Sequence, residues 1–349
     1  MKKVYLIIAV ICLALLIVLP AAAGNASKGP KGKVVVANRA SGSISVIDAR
    51  TNALIGTYDL PAGDNAPEPM YVTYSKKGGH VFVGDRANDR VVVFDQADFS
   101  VVTTIEAGAG VFHMWSDARD NQLWVNNDID NTTTVIDPVN LSVITTVSMP
   151  ADLVGLGYQP HDVILEPQGR FAYVTLLEGS DPDNDYLVQF STKTFMEVNR
   201  TTVGKDPHVS LTQRNNLIYV PAQNSDIVSV FNRDTLEPVT ELAVPGAHGA
   251  GMTHNGKTFY TTNLPGGGTD GLFAIDTHTN TILGASDTPY AVPHNLVVTK
   301  NDKLFLTHSG GTSDKVTIYA VSTSEPVPVA IGEVTVGLNP FGLAYVPGN

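Results

Sequence analysis

A strand–turn–strand–turn–strand unit recurs along this chain and leaves little freedom in the fold. VVVANRASGSISVIDARTNALIGTYDL starts at Val34, VFVGDRANDRVVVFDQADFSVVTTIEAG at Val81 and LWVNNDIDNTTTVIDPVNLSVITTVSM at Leu123. Each opens with a β-branched and aromatic run, then turns through Asn, Asp, Gly or Ser. A second run ends near Asp and turns into a third. That alternation reads as a meander of antiparallel strands. One more strand precedes each unit, near Met70, His113, His161, His208, His248, His294 and Phe341, at spacings of 40 to 48 residues. Four strands at this period are the mark of a β-propeller.

The expected fold class is therefore all-β: a seven-bladed β-propeller of four-stranded antiparallel blades. Six blades lie complete between Met70 and Val336. The seventh is split, with its inner strand at Phe341 to Val346 and its other three strands at Lys33 to Asp59. Pairing the N-terminal strands with the C-terminal strand closes the ring and removes open inner edges. The propeller spans 33–349 as one domain, and 24–32 is a short polar lead-in. Residues 1–23 read as an export signal: Lys2 and Lys3, the apolar run Val4 to Leu19, then Pro20 and the small residues Ala21 to Ala23. The chain is expected to be secreted, periplasmic or on the cell surface.

The lines VVVANRASGSISVIDARTN and GLFAIDTHTNTILGA resemble the YVTN-repeat propellers of bacteria and archaea, and the resemblance extends over nearly all of the chain from Lys33 onward. It implies the propeller fold. It leaves activity open, because similar propellers include lactonases, dehydrogenase subunits, metalloenzyme domains and plain binding proteins.

Composition excludes several kinds of chemistry. Cys12 is the only cysteine and lies inside the apolar run, so the mature chain has no thiol. That excludes disulfides, c-type haem, an iron–sulfur cluster and thiolate copper sites. The net charge is −12 and no basic run occurs. Nucleic acid is thus not a partner, since phosphate binding needs clustered Lys and Arg. Membrane attachment would come only through a retained signal. GxSxG, HExxH and SxxK are absent. Gly266 to Gly271 matches GxGxxG, but no helix follows, so it reads as a hairpin loop. Asp181 to Asp185 reads as an acidic solvated loop without the glycine and glutamate of an EF-hand.

The histidines carry the functional signal. Five of nine read as one register at the start of the inner strands: His113, His161, His208, His248 and His294. Met70 and Phe341 fill the other two places. Taken singly, such a histidine is a packed residue. Five in register point to a transition-metal or polar-cofactor site at the channel mouth, with copper favoured over zinc or iron because imidazole-only sites suit it. Asn38, Asp85, Asn127, Leu176, Ala222, Asn263 and His308 end the second strands on the same face, which makes His308 a sixth candidate ligand. Asp162, Asp206 and Asn295 are candidate partners for the imidazoles. His80, His254 and His278 fall in hairpin turns.

Two other functions stay open. One is a non-enzymatic surface protein that recognises a protein or glycan. The other is a lactonase-like hydrolase acting on a small molecule, with Asp85, Asp117 or Asp162 as its acid.

Overall fold

A computed structural model describes residues 32–211 and 215–348. The expected signal at 1–23, the lead-in up to residue 31 and Cys12 lie outside the described residues. Seven four-stranded antiparallel sheets form the seven blades. The split blade is as expected: Pro340–Pro347 is innermost, followed by Gly32–Asn38, Ser43–Asp48 and Leu54–Asp59. Its closure registers Val34 on Tyr345 and Val35 on Ala344. We number this blade 1 and count onward along the chain.

The unbroken apolar runs follow from the packing. Both faces of a blade are covered by its neighbours, so alternate residues are buried in different places. Val35 packs towards blade 2, in a cluster with Val81, Val83, Val92 and Phe94. Val34 and Val36 point the other way, against Phe305, Val316 and Ile318 of blade 7. The outermost strands have one free face, and there burial alternates or fails, as in Leu54–Asp59. Removing a ring such as Phe94 from one of these clusters would cost about 3–5 kcal/mol.

Each outermost strand carries one extra residue against its partner, at Ile55, Val102, Ile144, Val198, Val239, Leu283 and Ile331. A bulge bends the strand and interrupts its free edge, which protects seven exposed edges from pairing with another chain.

Six of the seven innermost strands bulge as well, and this sets up the channel; blade 5 alone keeps its register, from Pro207 on Ala222 to Ser210 on Tyr219. In blade 4, Pro160 pairs with Leu176 and Val163 with Val174, which leaves His161 and Asp162 opposite Thr175 alone. The Thr175 hydroxyl accepts the Asp162 N–H at 2.9 Å. Thr262 and Thr307 hold the amides of Gly249 and Asn295 in the same way. Each of these two threonines also donates to the next blade, to the carbonyls of His294 and Phe341 respectively. One hydroxyl thus pins its own bulge and the neighbouring one. Glycine at 249 is required by that closeness, because a Cβ there would overlap the His294 carbonyl oxygen.

Candidate active site

Two layers of residues line the channel, one from each bulge position, with His208 and Val209 taking the same two places in blade 5 without a bulge. The first-position residues are Met70, Phe112, His161, His208, His248, His294 and Phe341. The second-position residues are Tyr71, His113, Asp162, Val209, Gly249, Asn295 and Gly342. This corrects the expected register. His113 is not equivalent to His161: Val111 pairs with Asn127 and Met114 with Val125, so Phe112 takes the first place and His113 the second. A hairpin length shared by blades 2, 3, 4 and 6 carried the signal. Pro69 and Asp85, Val111 and Asn127, Pro160 and Leu176, and Ala247 and Asn263 are all pairs sixteen residues apart.

The five histidines nevertheless converge. Nε2 of His161 is 3.1 Å from Nε2 of His208. His113 lies with its ring centroid 5.0 Å from that of His161 and 5.4 Å from that of His208. The chain of rings continues from His208 to His248 at 3.8 Å and on to His294 at 4.8 Å. Tyr71 and Phe341 complete the circle, at 3.6 Å from His113 and 4.0 Å from His294. Nothing in the local sequence marked Tyr71.

His308 stands outside this circle. Its Nε2 is 2.8 Å from the Thr317 hydroxyl, and Tyr290 packs on its ring. Asn38 bonds Ser45, and Asn127 bonds Thr134, from the same place at the end of a second strand. His308 is therefore the blade 7 form of a structural bond rather than a ligand to anything in the channel.

The expected partners divide. Asp162 Oδ1 is 2.8 Å from Nδ1 of His113, and its Oδ2 accepts the Val209 N–H at 2.9 Å. Asp206 Oδ1 is 3.9 Å from Nε2 of His161. The Asn295 amide is 3.0 Å from Nδ1 of His294. Asp85 is spent on Arg90 and the Glu68 N–H, and Asp117 on the turn around Asn121, so neither serves the channel. His254 and His278 are exposed in turns as expected, but His80 opens a strand and is half-buried. The Gly266–Gly271 segment is a loop between Thr258–Asn263 and Leu272–Asp276.

Burial governs the charges. It holds His113, His161, His208 and His248 far below the ordinary histidine range and His294 at about 3. The imidazoles are neutral, because crowded cations without solvent would repel. Burial also pushes Asp162 up to about 6. Asp206 rises to about 6 from burial, with Asp185 and Glu178 adding to it.

A funnel of about 410 Å³ opens onto the first layer. Phe112 and His161 come from the first layer. Arg39, Arg86, Lys205 and Asp206 come from the surrounding connections. His161 is the only one of the five channel histidines that is not fully buried. Each cation has a carboxylate partner: Arg39 with Glu68 at 2.6 Å, Arg86 with Asp128 at 2.7 Å and Lys205 with Asp185 at 2.6 Å. Local sequence did not single out these three cations. They belong to different blades and meet only at the channel mouth.

The sequence pattern described as "Lactonase, 7-bladed beta-propeller" matches residues 25–248, well over half of the chain. The chain belongs to this lactonase family. Members of the same architecture recur among solved structures. The periplasmic gluconolactonase of Pseudomonas aeruginosa is 15% identical, with a TM-score of 0.69 over 90% of this chain and 99% of that one. A candidate 6-phosphogluconolactonase of Bacteroides fragilis is 16% identical, with a TM-score of 0.69 over 92% and 99%. A chain of Kuenenia stuttgartiensis hydrazine synthase is 14% identical, with a TM-score of 0.66 over 86% and 92%. At these identities the likeness is one of fold. No curated protein matches the sequence. Family membership reverses the order in which the functions were expected, placing the hydrolase ahead of the metal-binding propeller.

Proposed function

We propose that this protein hydrolyses lactones and that the funnel is its active site. Membership of the lactonase family carries the reading, and the placement of His161 in the funnel gives it a mechanism. Water adds to the lactone carbonyl, the ring C–O bond breaks, and an open hydroxy acid leaves. His161 is neutral and reachable from the funnel, so it can take the proton from the attacking water. Asp206, 3.9 Å away, stabilises the imidazolium that forms. The His161 proton then goes to the leaving alkoxide. Arg86 faces the same space and supplies a cation for the developing oxyanion.

The charge balance selects the substrate class. Arg39, Arg86 and Lys205 are matched against Asp128, Glu178, Asp185 and Asp206 on the same lining. With three cations against four carboxylates, the funnel has no net positive charge to draw in a phosphate. It suits an uncharged lactone, such as that of a simple sugar acid.

The test is a pH-indicator assay of the purified chain over a panel of uncharged and phosphorylated sugar lactones. The expected result is turnover of uncharged lactones, with His161→Gln lowering kcat/KM by about 10²-fold or more. Absence of turnover above buffer across the panel would remove the reading.

A further inference from the structure

The channel holds more imidazole than a hydrolytic base requires. We propose that His113, His161 and His208 form a binding site for one divalent first-row transition-metal ion, with Asp162 as the carboxylate that orients His113. This inference stands without lactone hydrolysis and shares only His161 with it.

Convergence is the first argument. One nitrogen from each of the three rings lies within 4.8 Å of the other two. Two nitrogens on one tetrahedral ion, each about 2.0–2.1 Å from it, are separated by about 3.3 Å. The 3.1 Å between His161 Nε2 and His208 Nε2 is close to that spacing.

The second argument is unsatisfied polarity. His113 Nε2 is buried with no hydrogen-bond partner, while its Nδ1 faces Asp162. A metal-bound imidazole usually gives its other N–H to a carboxylate, which fixes the tautomer and leaves the second nitrogen free to bind. Asp162 is itself held by the Val163 and Val209 amides, so the orienting group cannot swing away. Buried imidazole nitrogens left without partners are costly, and an ion would use that cost.

The donor set narrows the ion. Three neutral imidazoles without thiolate suit copper or zinc over calcium or magnesium, which take oxygen ligands. The site is not closed. Three protein ligands leave a coordination position, and His161 gives it a route to the funnel. His248 is adjacent to His208 but outside the triad, and His294 is taken by Asn295.

The experiment uses the full mature chain stripped with chelator and then titrated separately with Cu²⁺, Zn²⁺ and Co²⁺. One equivalent of Cu²⁺ or Zn²⁺ is expected. The copper-loaded wild type should show electron-spin coupling to three nitrogens. His113→Ala and His208→Ala should lose the ion and Asp162→Asn should bind it about 10–100-fold more weakly, while His248→Ala should retain it. Failure of all three ions to bind would overturn the proposal, as would a copper signal without nitrogen coupling or loss of the ion in His248→Ala. The wild-type spectrum decides the matter even where a variant fails to fold. Metal uptake without lactone turnover would remove the hydrolytic reading and leave this site standing. Turnover by a protein that takes up no ion would do the reverse.

Discussion

Asp162 bridges two blades: Oδ1 sits 2.8 Å from Nδ1 of His113 in blade 3, and Oδ2 accepts the Val209 N–H of blade 5 at 2.9 Å. A single carboxylate at the second bulge position of blade 4 therefore joins three neighbouring inner strands.

Removing that carboxylate should destabilise the propeller. Asp162→Ala leaves the amides of Val163 and Val209 and the His113 Nδ1–H without acceptors in a buried place. Each orphan costs about 1–3 kcal/mol, so a loss of about 3 kcal/mol or more is expected in urea unfolding of the metal-free protein. Asp162→Asn keeps one oxygen acceptor and should lose less. Equal stability of Asp162→Ala and wild type would show that the bridge does not matter.

Stability should fall on acidification from near-neutral pH. An unfolded histidine takes up its proton near 6.5, whereas burial holds His308 at about 4 and His294 at about 3. The native rings refuse protons that the unfolded chain accepts. Their stabilisation is therefore complete above about 6.5 and is lost as pH falls towards those native values. For His308 this amounts to about 3 kcal/mol. Asp162 and Asp206 act oppositely: pushed up to about 6, they favour the native state as pH falls from 6 towards 3.8. Histidines with depressed values outnumber them six to two, counting His113, His161, His208 and His248. Thermal midpoints measured in chelator should be level above pH 7 and drop steeply below pH 6. A midpoint unchanged down to pH 4.5 would contradict neutral burial of these rings.

Val292 offers a stabilising change. It has φ of 54° just before Pro293, a left-handed conformation that costs a β-branched residue about 1–2 kcal/mol. Asp206 and Asn339 adopt the same conformation at the equivalent place in blades 5 and 1. The Val292 carbonyl accepts the Ser309 N–H, which holds the turn in place. Val292→Asn should raise stability by about 1 kcal/mol and the thermal midpoint by about 2–3 °C. A lowered midpoint would mean that Val292 contributes more by packing than it costs in strain.

The sequence by itself determined the architecture. Runs such as Val34 to Ala37 are apolar on both faces and β-branched, so they must be strands covered from both sides. Their recurrence with turn residues at a period near 45 allows a closed ring and little else. The density of histidine at the inner strands was legible for the same reason, because the repeat places each beside the channel. Asp162, Asp206 and Asn295 were legible as neighbours of those histidines.

Only the tertiary structure decided which of these groups meet. A bulge shifts the side chains of a strand by one place without changing its pattern, so His113 and Phe112 exchange roles invisibly. His308 has the apolar neighbours of a channel residue, yet its partner Thr317 belongs to its own blade. The cations of the funnel, Arg39, Arg86 and Lys205, come from blades 1, 2 and 5. The physical reason is that strand pattern reports burial within a blade. The channel and funnel are made of contacts between blades, where residues about one repeat apart or more are brought together by ring closure.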